Sequence, residues 1–178
     1  VLATSEGEFE EGELVILLDE WSASASEILA GAVQDNDRGT IIGRRSFGKG
    51  LVQEPVMFRD GSGMRLTIAR YYTPTGRSIQ KPYSEGVDKY YEDLGNRFMN
   101  GEFEQADSIH LPDSLRFTTP GGKTVYGGGG IMPDVFVPLD TTKITEFYKT
   151  LIRGGYFNSF ALTYVEKNRS KLKNQALS

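Results

Sequence analysis

The apolar run Leu14-Val15-Ile16-Leu17-Leu18 is the strongest constraint on how this chain folds. It is of strand length, is closed by Asp19 and Glu20, and is continuous rather than alternating. That pattern predicts a central parallel strand covered on both faces. A parallel neighbour needs a crossover connection, and the next residues supply one. Ile28, Leu29, Ala32 and Val33 recur at helical spacing, the helix gives way at Asp35-Asn36-Asp37-Arg38-Gly39, and Thr40-Ile41-Ile42-Gly43 reads as a short buried strand. The chain is therefore expected to be α/β, with a helix N-terminus presented above the carboxyl edge of a parallel sheet.

What occupies that N-terminus is chemically unusual. Ser22, Ser24 and Ser26 alternate just before the helical pattern, and Ser24 with Glu27 makes a capping box, a common structural device. Beyond the second strand Lys49 stands between Gly48 and Gly50. Glycines on both sides suit a backbone that bends or packs closely. A lysine turned inward by such a bend has its charged form disfavoured by desolvation, and the neutral amine is a base. Beside a serine at a helix N-terminus it can take the hydroxyl proton, while the first-turn N–H groups and the helix dipole stabilise an oxyanion.

Two other motifs overlap this segment. Gly43-Arg44-Arg45-Ser46-Phe47-Gly48-Lys49 follows a phosphate-binding loop until Gly50 stands where Ser or Thr should hold magnesium, and the following Leu51-Val52-Gln53-Glu54-Pro55-Val56 reads as strand where a P-loop opens a helix. Ser46-Phe47-Gly48-Lys49 has the S-x-x-K spacing of penicillin-binding enzymes, but its glycines oppose a helix and no S-D-N or K-T-G element accompanies it.

SASASEILAGAVQD followed by FGKGLVQ resembles the C-terminal processing, or tail-specific, proteases, serine peptidases with a Ser-Lys dyad. The resemblance implies Ser24 as nucleophile, Lys49 as general base, Gln53 as the residue that orients the lysine in some members, and the Ala25 N–H as an oxyanion donor. It extends to Arg65–Gln80 and Gly130–Val135, segments that family members join closely and that Lys81 to Gly129 separate here as an insertion. Trp21 departs from the smaller residue often found before the serines. The implied fold is an α/β peptidase core similar to the ClpP/crotonase type, with residues 1–178 as a partial catalytic domain, incomplete at its N-terminal side. The family's upstream Gly-Gly segment, with the second oxyanion donor, and its PDZ domain are expected in chain preceding Val1. The isolated chain is accordingly expected to have little or no peptidase activity. The family also implies a protein or peptide substrate, no cofactor, and a bacterial periplasmic or cell-envelope location; self-association into a homo-oligomer stays open.

Composition narrows the alternatives. A length of 178 residues with ten Phe, nine Tyr and one Trp suffices for one domain with a core. A formal charge of −4 gives no general basis for nucleic-acid binding, and the basic run Lys167 to Lys173 reads as a solvated helix face. The absence of cysteine excludes thiol catalysis and cysteine metal sites, and the lone His110, with no G-x-S-x-G elbow, speaks against a Ser-His-Asp triad and a zinc site. No apolar run approaches a membrane span.

Along the rest of the chain, Val1 to Gly12 reads as a loop or weak edge strand, and strands are expected at Leu51–Phe58 and Met64–Thr73 around an Asp60-Gly61-Ser62-Gly63 turn. Pro55 marks an edge or a bulge. Val87–Met99 reads as a helix whose tyrosines suit core packing, Gly127–Gly130 as a turn, Asp134–Leu139 as a last strand, and Thr141–Ile152 and Ser159–Lys173 as closing helices. Four extended residues separate Lys49 from Gln53 by roughly 13 Å, so a direct bond between them requires a bent backbone. The competing reading is a protease-like module that binds peptides or a partner protein without cleaving them.

Overall fold

The computed structural model describes residue 7 and residues 10–84, 86–142 and 144–173. Most of the Val1–Gly12 segment lies outside them. The chain divides into two compact units, one reaching to Leu139 and the other starting at Asp140.

In the first unit β1 (Val15–Leu18) leads through α1 (Ala25–Asp35) to β2 (Thr40–Gly43), and the two strands pair in parallel from Val15 opposite Thr40 to Leu18 opposite Gly43. β2 also pairs in parallel with a two-residue strand, Val135–Phe136, giving a three-stranded sheet with β2 in the middle. Leu18, Ala30, Ile41, Ile79 and Ile131 form the buried core, and Ile16, Ile28 and Val33 pack against it. Gly43 is obligatory: at φ 130° any Cβ would sit 1.8 Å from the Leu18 carbonyl oxygen.

The apolar run overstates the cover on β1. The strand is outermost in its sheet, and Val15 and Leu17 are 51% and 76% exposed. Side chains alternate across a strand, so Ile16 and Leu18 meet the core while Val15 and Leu17 face the other side.

β3 (Leu51–Met57) and β4 (Gly63–Arg70) form a separate antiparallel hairpin. Its turn closes through the Phe58 and Gly61 amides and an Asp60–Ser62 side-chain bond of 2.7 Å. Among the described residues this sheet has two strands, so β3 has an edge without a partner strand there, where Pro55 is tolerated; the register shift falls between Val52 and Gln53. All eight residues of β4 are exposed.

The segment from Lys81 contains α2 (Val87–Met99), as the pattern predicts, and then a hairpin that it does not, β5 (Arg116–Thr118) with β6 (Thr124–Tyr126). Three-residue strands are too short to show alternation. The last strand, β7 (Val135–Phe136), is much shorter than Asp134–Leu139: the Val137 amide still reaches the Gly43 carbonyl at 2.9 Å, and the Leu139 amide then turns to the Phe103 carbonyl.

The second unit holds α3 (Glu146–Arg153) and α4 (Tyr156–Leu172). Thr145 caps α3 by accepting from the Tyr148 amide at 3.2 Å, and Gly155, at φ 63°, separates the helices. The basic run lies on α4 with most of its residues exposed. No helix among the described residues is long and apolar enough to cross a membrane.

Candidate active site

α1 begins where the serines predict. Ser24 is its N-cap, half-buried, with φ 58° and ψ −115°; only Ser24 and Asp37 among described non-glycine residues have positive φ. A serine held there stores roughly 1–3 kcal/mol of strain, which the surroundings must offset. Ala25 is the first helical residue and is exposed, so its N–H is one of the first-turn donors with no acceptor inside the helix.

What holds Ser24 in place is Glu27, which has no exposed surface. Its Oε2 accepts from the Ser24 amide at 2.8 Å, the glutamate half of the capping box. The same oxygen accepts from the Lys49 amide, also at 2.8 Å. Oε1 accepts from the Gly48 amide and from the Ser46 hydroxyl, each at 2.6 Å. One carboxylate thus satisfies four donors and binds the backbone of the candidate nucleophile to that of the candidate base. The Phe47 amide adds a second link, donating to the Ser22 carbonyl at 2.9 Å.

Both glycines beside Lys49 are used. Gly48 lies at φ 90° and packs against the Gly129–Gly130 backbone, while an added Cβ on Gly50 would meet the Gln80 amide nitrogen at 3.0 Å. The bend turns the amides of residues 48 and 49 toward Glu27, leaving the Lys49 side chain exposed rather than inward. It lines a pocket of about 260 Å³ together with Leu51 and Gln53. Among the described residues Lys49 Nζ has no hydrogen-bond or ion-pair partner. Gln53 shares the pocket but donates its Nε2 across the hairpin to Thr67 Oγ1 at 3.2 Å.

Neither overlapping motif survives. Residues 44–50 are irregular and run into β3, so no helix follows a phosphate loop. Ser46 is fully buried, its hydroxyl donating to Glu27 and accepting from the Ile131 amide at 2.7 Å, which leaves it no role as a nucleophile.

Charged clusters brace this loop. Arg97 of α2 donates to the carbonyls of Ser46 and Arg45 at 3.0 and 2.6 Å, and Glu102 pairs with both arginines at 2.7 and 2.6 Å. Burial lowers the Arg97 pKa, the nearby Arg45 charge adds to this, and Glu102 opposes it. Lys81 is also buried, its Nζ 3.0 Å from Asp93 and 4.1 and 4.3 Å from the ring centres of Phe47 and Tyr90. Burial holds its ammonium pKa below the usual lysine range, with Asp93 acting the other way. At the far end of α1, Asp35 and Arg77 form a pair 2.6 Å apart with almost no exposure, completed by Thr75. Burial raises the Asp35 pKa, but hydrogen bonds from Arg77, Thr73 and Thr75 and the Arg77 charge outweigh it and hold the carboxyl below its ordinary value.

Sequence reasoning finds Glu27 as a cap but misses its bonds to residues 46, 48 and 49, because those partners are some twenty positions away. It misses Lys81 altogether; the only local signal is a lysine directly before Pro82.

Comparison with known proteins agrees with the motifs. The model of "Peptidase family S41" matches residues 3–92. The carboxy-terminal-processing protease of Bartonella bacilliformis is 54% identical over 148 residues, 82% of this chain and 32% of the relative. The chloroplastic C-terminal processing peptidase of Tetradesmus obliquus is 56% identical over 68 residues, 38% of this chain and 15% of the relative. Among solved structures, the photosystem II D1 C-terminal processing protease aligns at 32% identity and a TM-score of 0.42, covering 71% of this chain and 20% of that one. The chain thus spans about a third or less of the length of these proteins. With half of its length matched, and both the Ser24 and the Lys49 segments inside the match, the chain belongs to peptidase family S41.

Proposed function

We propose that the intact protein is a serine endopeptidase of the C-terminal processing type. The observation that carries this reading is the single Glu27 oxygen that holds the amides of Ser24 and Lys49. Ser24 Oγ attacks the peptide carbonyl while the amine form of Lys49 takes its proton; the Ala25 N–H donates to the oxyanion. Lys49 then returns the proton to the leaving amine, and water hydrolyses the acyl-enzyme by the same route. Gln53 orients the lysine once substrate displaces it from Thr67. Substrates are protein C-terminal segments, presented by a PDZ domain elsewhere in the intact protein, in a compartment outside the bacterial cytoplasm.

The test is labelling of the intact protein with a serine-directed phosphonate, with the adduct mapped by mass spectrometry. Modification at Ser24, lost in Lys49→Ala, supports the dyad. An unlabelled protein that still binds peptides supports the non-catalytic module instead.

A further inference from the structure

The pocket beside Lys49 and Gln53 owes most of its wall to aromatic rings, and three of them, Tyr83, Tyr90 and Tyr91, come from the segment after Lys81. Tyr90 is the fixed member, only 7% exposed. Its ring meets Tyr83 at 4.4 Å with a 31° tilt, Tyr91 edge-on at 5.4 Å and Phe47 edge-on at 6.0 Å. The buried Lys81 ammonium sits against Phe47 and Tyr90 and is anchored by Asp93, so α2 is clamped to the loop that carries Lys49. Tyr83 and Tyr91, by contrast, are 43% and 66% exposed. A rigid ring thus supports two solvent-facing rings next to the proposed base, an arrangement that core packing alone does not call for.

The pocket's size and its rings define what fits. About 260 Å³ is below the roughly 300–1,000 Å³ of a site for a whole small ligand and suits a single side chain. Among the described residues Lys49 is its only basic lining group, and no carboxylate lines it. Offset and edge-on ring contacts favour an aromatic guest over an aliphatic one of equal area.

We propose that this pocket receives an aromatic side chain of the peptide substrate next to the scissile bond, and that Tyr91 and Tyr83 set that preference. The proposal rests on the peptidase reading, so its test separates binding from cleavage. Ser24→Ala in the intact protein is titrated, by fluorescence anisotropy, with C-terminally amidated alanine-rich peptides that differ at one central position, Phe, Ala or Asp. The Phe peptide is expected to bind at least tenfold tighter than the Ala peptide, and the Asp peptide weakest.

Adding Tyr91→Ala should weaken the Phe peptide at least fivefold and the Ala peptide less than twofold, while Tyr91→Phe restores binding. Tyr83→Ala should act in the same direction if the rings work together. Loss of affinity that is equal for Phe and Ala peptides, or a wild-type preference untouched by both substitutions, overturns the pocket assignment. Selective, Tyr91-dependent binding by a protein that neither cleaves nor labels would keep the pocket and overturn the peptidase reading. Cleavage without that selectivity would do the reverse.

Discussion

The loop from Arg45 to Gly50 and the β3–β4 hairpin that follows it are contiguous in sequence yet held by different physics. The loop contains no regular structure, but Ser46, Gly48 and Gly50 are buried and its polar groups go to Glu27, Gln80, Ile131 and Arg97. The hairpin has a full backbone ladder, but Met57, Met64, Leu66 and Ile68 are 46–70% exposed. Regularity and rigidity therefore separate: the irregular segment is the better determined one, because the amides of residues 46–50 and the Ser46 hydroxyl each meet a fixed acceptor. Lys49 and Gln53 stand on opposite sides of this divide, and so do their expected sensitivities to mutation.

The sharpest break is chemical. Ser24→Ala and Lys49→Ala are each expected to lower peptide hydrolysis by the intact protein about 10⁴-fold or more, with circular dichroism unchanged. Comparable turnover by either variant would remove the dyad.

Next comes the carboxylate that joins the two residues. Glu27→Ala leaves four donors without their acceptor, three of them backbone amides, and should destabilise the protein by roughly 3–5 kcal/mol in urea titration. A loss under about 1 kcal/mol would show that water replaces the carboxylate and that the loop is not held as described.

The Asp35–Arg77 pair tests whether the other end of α1 is held by the same kind of contact. Because the folded Asp35 pKa lies below its unfolded value, its contribution is fully present above the ordinary carboxyl range, about pH 4, and is lost as pH falls through the lower folded pKa. Asp35→Asn should cost about 3 kcal/mol at neutral pH and flatten the acid limb of the stability curve; an acid limb identical to wild type would assign acid unfolding to other carboxylates.

The hairpin should respond least. Ile68→Ser is expected to change stability by no more than about 0.5 kcal/mol, because half of the side chain already faces solvent. Gln53→Ala should leave stability alike and reduce turnover far less than Lys49→Ala does. An effect of equal size would place Gln53 among the tightly held residues.

Local regularities were legible in the chain because they repeat at short range. The helical spacing from Ile28 to Val33, the apolar strand at Thr40–Gly43 and the turn at Asp60–Gly63 each need only their neighbours, and each is present within a residue or two of its expected limits. The glycines around Lys49 signalled a bend for the same reason. β5 and β6 were not legible, being three residues each and dependent on one another.

Sequence alone determined the order in which strand, helix and strand follow, and the family, since these depend on residue type and spacing. Only the tertiary structure decided that Glu27 bonds to residues 46, 48 and 49, that Lys49 faces a pocket instead of the core, that Leu17 is exposed, and that Lys81 lies against Phe47 and Tyr90. Each of these is a competition between distant groups for one partner or one face. A carboxylate with room for four donors takes whichever four the fold brings within reach, and nothing in the residues around Glu27 says which those will be.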